Sequence, residues 1–166
     1  MMLNQQFNAT LRQIRNEDDP LLGAIIRGCF QDYNALEEGT VYSDPVIDRL
    51  SVAFNRDRSV YYVLELNGEV VGGAGIQPLK EADATICELQ KMYLRKDARG
   101  KGFGRMLLKK CLEFAKANGF KTCYLESLPE LKDALKLYER AGFGYNDNRM
   151  GNTGYYGCSL YMTLDF

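Results

Sequence analysis

Arg99-Gly100-Lys101-Gly102-Phe103-Gly104-Arg105 joins an apolar run, residues 89–94, to a helical pattern that begins at Met106. Glycines alternate with basic residues at this strand-to-helix junction, so successive backbone N–H groups can face outward without a Cβ in the way. With the positive end of a helix dipole behind them, such groups bind phosphate oxygens. The stretch therefore predicts an anion cradle suited to a pyrophosphate. A Walker loop is excluded, because Gly104 is followed by Arg105 and Met106 and not by Lys-Ser/Thr. A dinucleotide fingerprint fits at Gly100 and Gly102, but its third glycine is replaced by Arg105. The strands before the loop also form a meander and not the start of a βαβ series.

Working outward, strands are expected over residues 10–15, 60–66, 69–76 and 85–94. Asn67-Gly68 is the hairpin turn between the second and third of these. Gly72, Gly73 and Gly75 predict a bulge or a close approach in the third strand, and Pro78 is expected to end it. Asp19-Pro20 reads as N-cap and first helical residue of a helix to about Phe30, and Asp44-Pro45 opens a second over residues 46–54. Residues 31–43, between them, read as a mobile loop. After the glycine loop, Leu107, Leu108, Cys111, Leu112, Phe114 and Ala115 mark an amphipathic helix that stops at Asn118-Gly119. A short strand over residues 122–126 follows, parallel to 89–94 because a helix joins them. A last helix over 129–140 and closing strands over 143–145 and 158–164 complete one mixed α+β domain, residues 1–166.

The composition narrows the chemistry. The 166 residues carry 21 Lys and Arg against 22 Asp and Glu, a net charge of -1 that argues against nucleic-acid binding. No apolar run approaches the roughly 18 residues a membrane span needs, and residues 1–10 lack the pattern of a signal peptide. The five cysteines (Cys29, Cys87, Cys111, Cys123, Cys158) stand singly, as expected for reduced, buried thiols in a cytoplasm. With no histidine in the chain, Ser-His-Asp and Cys-His catalysis are excluded and no metal site is expected. Proton transfer falls to carboxylate, Tyr, Cys, Lys or water.

Two motifs together carry a resemblance. Arg99-x-x-Gly102-x-Gly104, preceded by Glu88-Leu89-Gln90-Lys91-Met92-Tyr93-Leu94, and Leu137-Tyr138-Glu139-Arg140-Ala141-Gly142-Phe143 resemble the acetyl-CoA loop and the L-Y-x-x-x-G-F motif of the GCN5-related N-acetyltransferase (GNAT) superfamily. The order of elements is similar over essentially the whole chain, and the wording of its motifs is similar to a common bacterial subgroup of acetyltransferases. Those relatives often carry a histidine where Tyr155 or Tyr156 stands here. The resemblance implies a mixed, mostly antiparallel sheet of about seven strands flanked by about four helices.

For function it implies transfer of an acetyl group from acetyl-CoA, as cosubstrate, to a primary amine, most simply that of a small molecule. The pyrophosphate would sit on the backbone of Arg99, Gly100, Lys101, Gly102, Phe103, Gly104 and Arg105, and the pantetheine arm along Met92, Tyr93 and Leu94. Charge-assisted phosphate contacts from Arg99, Lys101 and Arg105 would add to this. Glu88 matches the family's carboxylate base, acting through water, although a half-exposed strand residue would look the same. Tyr138 matches its general acid, although it also continues the apolar line of Leu131 and Leu135. Tyr33, Glu126 and Tyr156 are the acceptor-side candidates, with Tyr42 and Tyr155 in the same loops. The resemblance also admits a homodimer. A non-catalytic acyl-CoA-binding or sensing domain and a nucleotide-binding oxidoreductase are the alternatives.

Overall fold

A computed structural model describes residues 7–36 and 38–166. Most of the leader-peptide expectation (residues 1–6) and one residue of the 31–43 segment, Glu37, lie outside the described residues. Among those described, seven strands form one sheet in the order β1-β2-β3-β4-β5-β7-β6. β1 (Ala9–Gln13), β2 (Val60–Leu66), β3 (Glu69–Pro78) and β4 (Ile86–Leu94) are an antiparallel meander. β5 (Thr122–Ser127) runs parallel to β4, and β7 (Leu160–Asp165) lies antiparallel between β5 and β6 (Gly144–Asn146). The hairpin turn at Asn67-Gly68 has φ of 51° and 84°, the doubly left-handed geometry that this dipeptide tolerates.

Two layers of helix cover the sheet. α3 (Phe103–Ala117) and α4 (Lys132–Ala141) pack Leu107, Leu108, Cys111, Ala115 and Tyr138 on one face, against Leu64, Ile76, Leu89 and Leu125. α1 (Asp19–Asp32) and the four-residue α2 (Leu50–Ala53) cover the other face with Leu22, Ile26, Phe30, Ile47, Leu50 and Phe54.

Some element bounds differ from the sequence reading, each for a local reason. The helix expected over 46–54 is a 3-10 turn, Pro45–Asp48, followed by α2, because the backbone leaves helical geometry at Arg49 (φ -142°, ψ 42°). Ile47, Leu50 and Phe54 are nonetheless the buried face. The segment is held by tertiary bonds: Ser51 N–H and hydroxyl both donate to the Asp19 carboxylate. α3 starts three residues before Met106, since Gly102 at φ 86° turns the chain directly into it. α4 starts at Lys132, after a turn in which Leu131 N–H donates to Leu128 O. β7 starts at Leu160 because the carbonyls of Tyr155 and Cys158 both accept from Arg149 Nη2, at 3.0 Å each, instead of joining the ladder.

The glycines of β3 meet the expectation of a close approach, and the bulge beside them falls in β4. Opposite them the register slips, with Gly73 facing Tyr93 but Gly75 facing Gln90, so that β4 has one residue more than β3 between these pairs. Lys91 takes the bulged conformation, at φ 54°. The Tyr61 ring lies flat across Gly73, where an added Cβ would come within 2.4 Å of Cε1 and 2.6 Å of Tyr62 O. From there its hydroxyl donates to the Lys91 carbonyl at 2.8 Å and ties down the bulge. Gly73→Ala is therefore expected to destabilise the fold by about 1–3 kcal/mol, the usual cost of overpacking. A lowered urea midpoint would register it, and an unchanged midpoint would show that the Tyr61 ring and the Tyr62 carbonyl both give way freely.

Candidate active site

Parallel pairing between β4 and β5 extends only from Ile86↔Thr122 to Glu88↔Tyr124. Beyond Glu88 the strands part, leaving residues 89–94 of β4 without a ladder partner on the β5 side. The opening continues into a cleft of about 1010 Å³ lined by both strands, α1, α3 and α4. Met92, Tyr93 and Leu94 line it along the free edge, and Gly100, Gly102, Gly104 and Arg105 line it at the start of α3. Gly100 (φ 72°) and Gly102 (φ 86°) occupy the left-handed region, and an added Cβ at either would meet nothing within 4 Å. Open space thus lies over the first turn of α3, whose N–H groups have no partners within the helix.

The basic residues of the loop divide. Arg99 borders the cleft, but its guanidinium is committed. Nε donates to Leu94 O at 2.8 Å, and Nη2 donates to Asp32 Oδ2 at 2.8 Å and to Cys29 Sγ at 3.1 Å. Arg99 thereby stitches the end of β4 to α1. Lys101 Nζ donates to Asp97 O at 2.6 Å, and Phe103 stacks edge-on to Phe7; neither lines the cleft.

Glu88 stands where the strands part, 3% exposed. Burial pushes its carboxyl up to about 7, against the opposing pull of a Gln90 hydrogen bond and the Lys91 charge, and with Glu126 adding to the rise. Gln90 Nε2 donates to Glu88 Oε2 at 2.6 Å. Lys91, 5% exposed, donates from Nζ to Gln90 Oε1 at 3.2 Å and to Tyr155 Oη, with Asp44 Oδ2 at 3.6 Å. Tyr155 Oη in turn donates to Asp44 Oδ2 at 2.7 Å. Burial draws the Lys91 ammonium down while Asp44 and Glu88 hold it up. Gln90, Lys91 and Asp44 were not among the sequence candidates. The one available signal was a lysine in the middle of an otherwise core-forming strand.

Across the gap, on the α3/α4 face, Tyr138 lines the cleft with its ring 5.8 Å from that of Phe143. Its hydroxyl has no hydrogen-bond partner among the described residues, and burial raises it above the ordinary phenol value. Of the acceptor-side candidates, Tyr33 lines the cleft and its hydroxyl donates to Asp133 Oδ2 at 3.2 Å. Glu126 also lines it, but its carboxylate is engaged by Tyr124, Thr153 and Arg149, at 2.9, 2.9 and 3.2 Å. It braces β5 against the segment before β7. Tyr156 is 72% exposed, with its ring over Gly39, and is not brought to the cleft.

A parallel pair that parts beside a glycine-opened helix leaves one cleft running from the strand gap to the helix start. The model of the acetyltransferase (GNAT) family matches residues 20–143, and the chain belongs to that family. It is an N-acetyltransferase, 39% identical over 153 residues to the uncharacterized N-acetyltransferase YjgM of Escherichia coli (strain K12), with 92% of each chain covered. In fold it is similar to an acetyltransferase of the GNAT family from Staphylococcus aureus Mu50, with a TM-score of 0.80 at 17% identity over 95% of this chain and 98% of the other. It is also similar to the acetyltransferase yncA from Salmonella typhimurium, solved with its cofactor acetyl-CoA, with a TM-score of 0.71 at 21% identity over 95% and 94% of the two chains.

Proposed function

We propose that the chain transfers the acetyl group of acetyl-CoA to the primary amine of a small molecule, by direct attack in a ternary complex. The observation that carries this reading is the parting of β4 and β5 at Glu88, with Glu88 on one face of the gap and Tyr138 on the other. The N–H groups at the start of α3, within the loop from Arg99 to Arg105, would hold the pyrophosphate, and the free edge of Met92, Tyr93 and Leu94 would hold the pantetheine arm. A backbone N–H near Met92 or Tyr93 polarises the thioester carbonyl. The ammonium gives one proton through water to Glu88 and the neutral nitrogen attacks that carbon; the C–S bond breaks as Tyr138 protonates the sulfur, and the second proton shed by the nitrogen returns through water to the Tyr138 oxygen.

Each group suits its step. An alkylamine holds its proton to about 10.4 and must lose it. A carboxylate at about 7 is half ionised near neutrality and is a stronger base than an ordinary glutamate. Burial keeps Tyr138 protonated, so a proton is present when the sulfur leaves, while the same burial makes it a weaker acid than an ordinary phenol. The cleft is lined by Phe30, Tyr33, Leu128 and Leu131 together with Glu88, Lys91, Glu126 and Asp133, which supports a small amine that meets both apolar and acidic walls.

Acetyl-CoA at about 100 times its Kd should stabilise the protein by about 2.7 kcal/mol, raising Tm by roughly 5–10 °C. A panel of small amines should then show acetyl-CoA-dependent release of free thiol. A Tm shift with no turnover of any amine would favour an acyl-CoA-binding role; no Tm shift would remove the cosubstrate.

A further inference from the structure

We propose that Lys91 and Gln90 are positioning residues for the reaction: Lys91, carried inward by the β4 bulge, fixes the orientation of the Gln90 amide so that its N–H holds the Glu88 carboxylate toward the cleft. The inference rests on the reading of Glu88 as base.

In a regular strand, residues 88, 90 and 92 would share one face and 89, 91 and 93 the other. Here Leu89 and Met92 both pack on the α3/α4 side, while Tyr93 packs on the α1 side with Tyr61 and Val63. The alternation therefore changes at Lys91. Gln90 and Lys91, neighbours in sequence, act on the same side of the sheet, which is why Lys91 Nζ can reach Gln90 Oε1. The conformation has a cost: φ of 54° is the left-handed region, which strains a residue with a Cβ. A buried ammonium adds to that cost unless it is paired. Strain and a buried charge at one residue, both tied down by Tyr61, Tyr155 and Asp44, mark a site where geometry is held for a purpose.

The donor inventory shows what is held. An amide side chain has one accepting and one donating end, and it can turn over. A lysine nitrogen presents N–H groups to the carbonyl oxygen, so it selects Oε1. Only Nε2 is then left for Glu88, at 2.6 Å. Without Lys91, the amide could turn its oxygen toward the carboxylate, and the two acceptors would repel. The groups that face Glu88 are Gln90 and Lys91 from β4, Glu126 from β5, already paired with Arg149, and Tyr155 with its partner Asp44.

The test is the pH profile of kcat/KM for an acetylated amine, measured on the wild type and on Glu88→Gln, Lys91→Met, Lys91→Arg and Gln90→Leu. The wild type should show an acid limb near pH 7 that Glu88→Gln abolishes. Lys91→Met and Gln90→Leu should each move that limb upward by about one pH unit, a roughly tenfold loss at pH 6.5 that is recovered at alkaline pH, with KM for acetyl-CoA unchanged. Lys91→Arg, still a donor-only cation, should keep the limb close to its wild-type position. If the limb stays in place in both Lys91→Met and Gln90→Leu while Glu88→Gln abolishes it, the positioning role is overturned and the base survives. If Glu88→Gln leaves the limb unaltered, the base reading falls and this inference with it. Should Lys91→Met fail to fold, Gln90→Leu, which leaves Lys91 its contacts with Asp44 and Tyr155, decides the matter alone.

Discussion

Tyr138→Phe is expected to lower kcat by about 10²–10³-fold, within the usual range for loss of a general acid, while Kd for acetyl-CoA stays nearly constant. The substitution is conservative in shape, since the ring still packs against Phe143 and keeps its place under the cleft. It also leaves no group orphaned, because the hydroxyl has no hydrogen-bond partner among the described residues, so Tm should change by little. Stopped-flow measurement of thiol release together with calorimetric titration of acetyl-CoA would separate the two effects. An unchanged kcat would return Tyr138 to a purely packing role, as one more member of the core that holds Cys111, Cys123 and Phe143.

Glu88→Gln should lower kcat/KM for the amine by about 10²-fold at pH 8 and, in the same protein, raise stability. The folded state holds the Glu88 proton up to about pH 7, against an ordinary value of 4.5 for the unfolded chain. Below about pH 4.5 both states are protonated and the residue adds no pH dependence. As pH rises from 4.5 to 7, the unfolded chain gives up its proton first, so stability falls through that interval and stays low above it. At 1.36 kcal/mol per pH unit the interval amounts to about 3 kcal/mol. A glutamine can still accept from Gln90 Nε2 but never ionises. The variant should therefore be more stable than the wild type by about 1–3 kcal/mol at pH 8, less the lost attraction to Lys91, and show no such advantage near pH 4. Urea denaturation at the two pH values measures it; equal gains at both would mean that ionisation of Glu88 is not the source of the cost.

Much of the framework was legible in the chain because it rests on local rules. Asn67-Gly68 makes a hairpin wherever its flanks are strands, and Gly142, at φ 103°, ends α4 as a glycine past a helix should. The glycine loop announced open backbone at a helix start because that property belongs to the loop itself. The paired motifs at Arg99–Gly104 and Tyr138 named the family. Side-chain partners were less legible. Arg99 looked like a phosphate ligand by proximity to the glycines, yet its guanidinium satisfies the Leu94 carbonyl and Asp32, acceptors that only the packing of α1 on the end of β4 brings within reach. Glu126 looked like a free carboxylate past a strand, yet Tyr124, Thr153 and Arg149 converge on it across β5 and the loop before β7.

By itself, then, the sequence determined the order of elements and the open glycine turn at the start of α3, and it pointed to the two residues proposed for proton transfer. The first two follow from periodicity and from the conformational freedom of particular residues over a short span; the last is what the resemblance of the two motifs to the family implies. Only the tertiary structure decided that β4 parts from β5 at Glu88, that Lys91 turns inward, and that Glu88 is raised toward neutrality. Those features depend on register between strands distant in sequence, on glycines in β3 that let Tyr61 cross the sheet, and on how much water the finished packing leaves around a carboxylate. None of these is a property of any one segment.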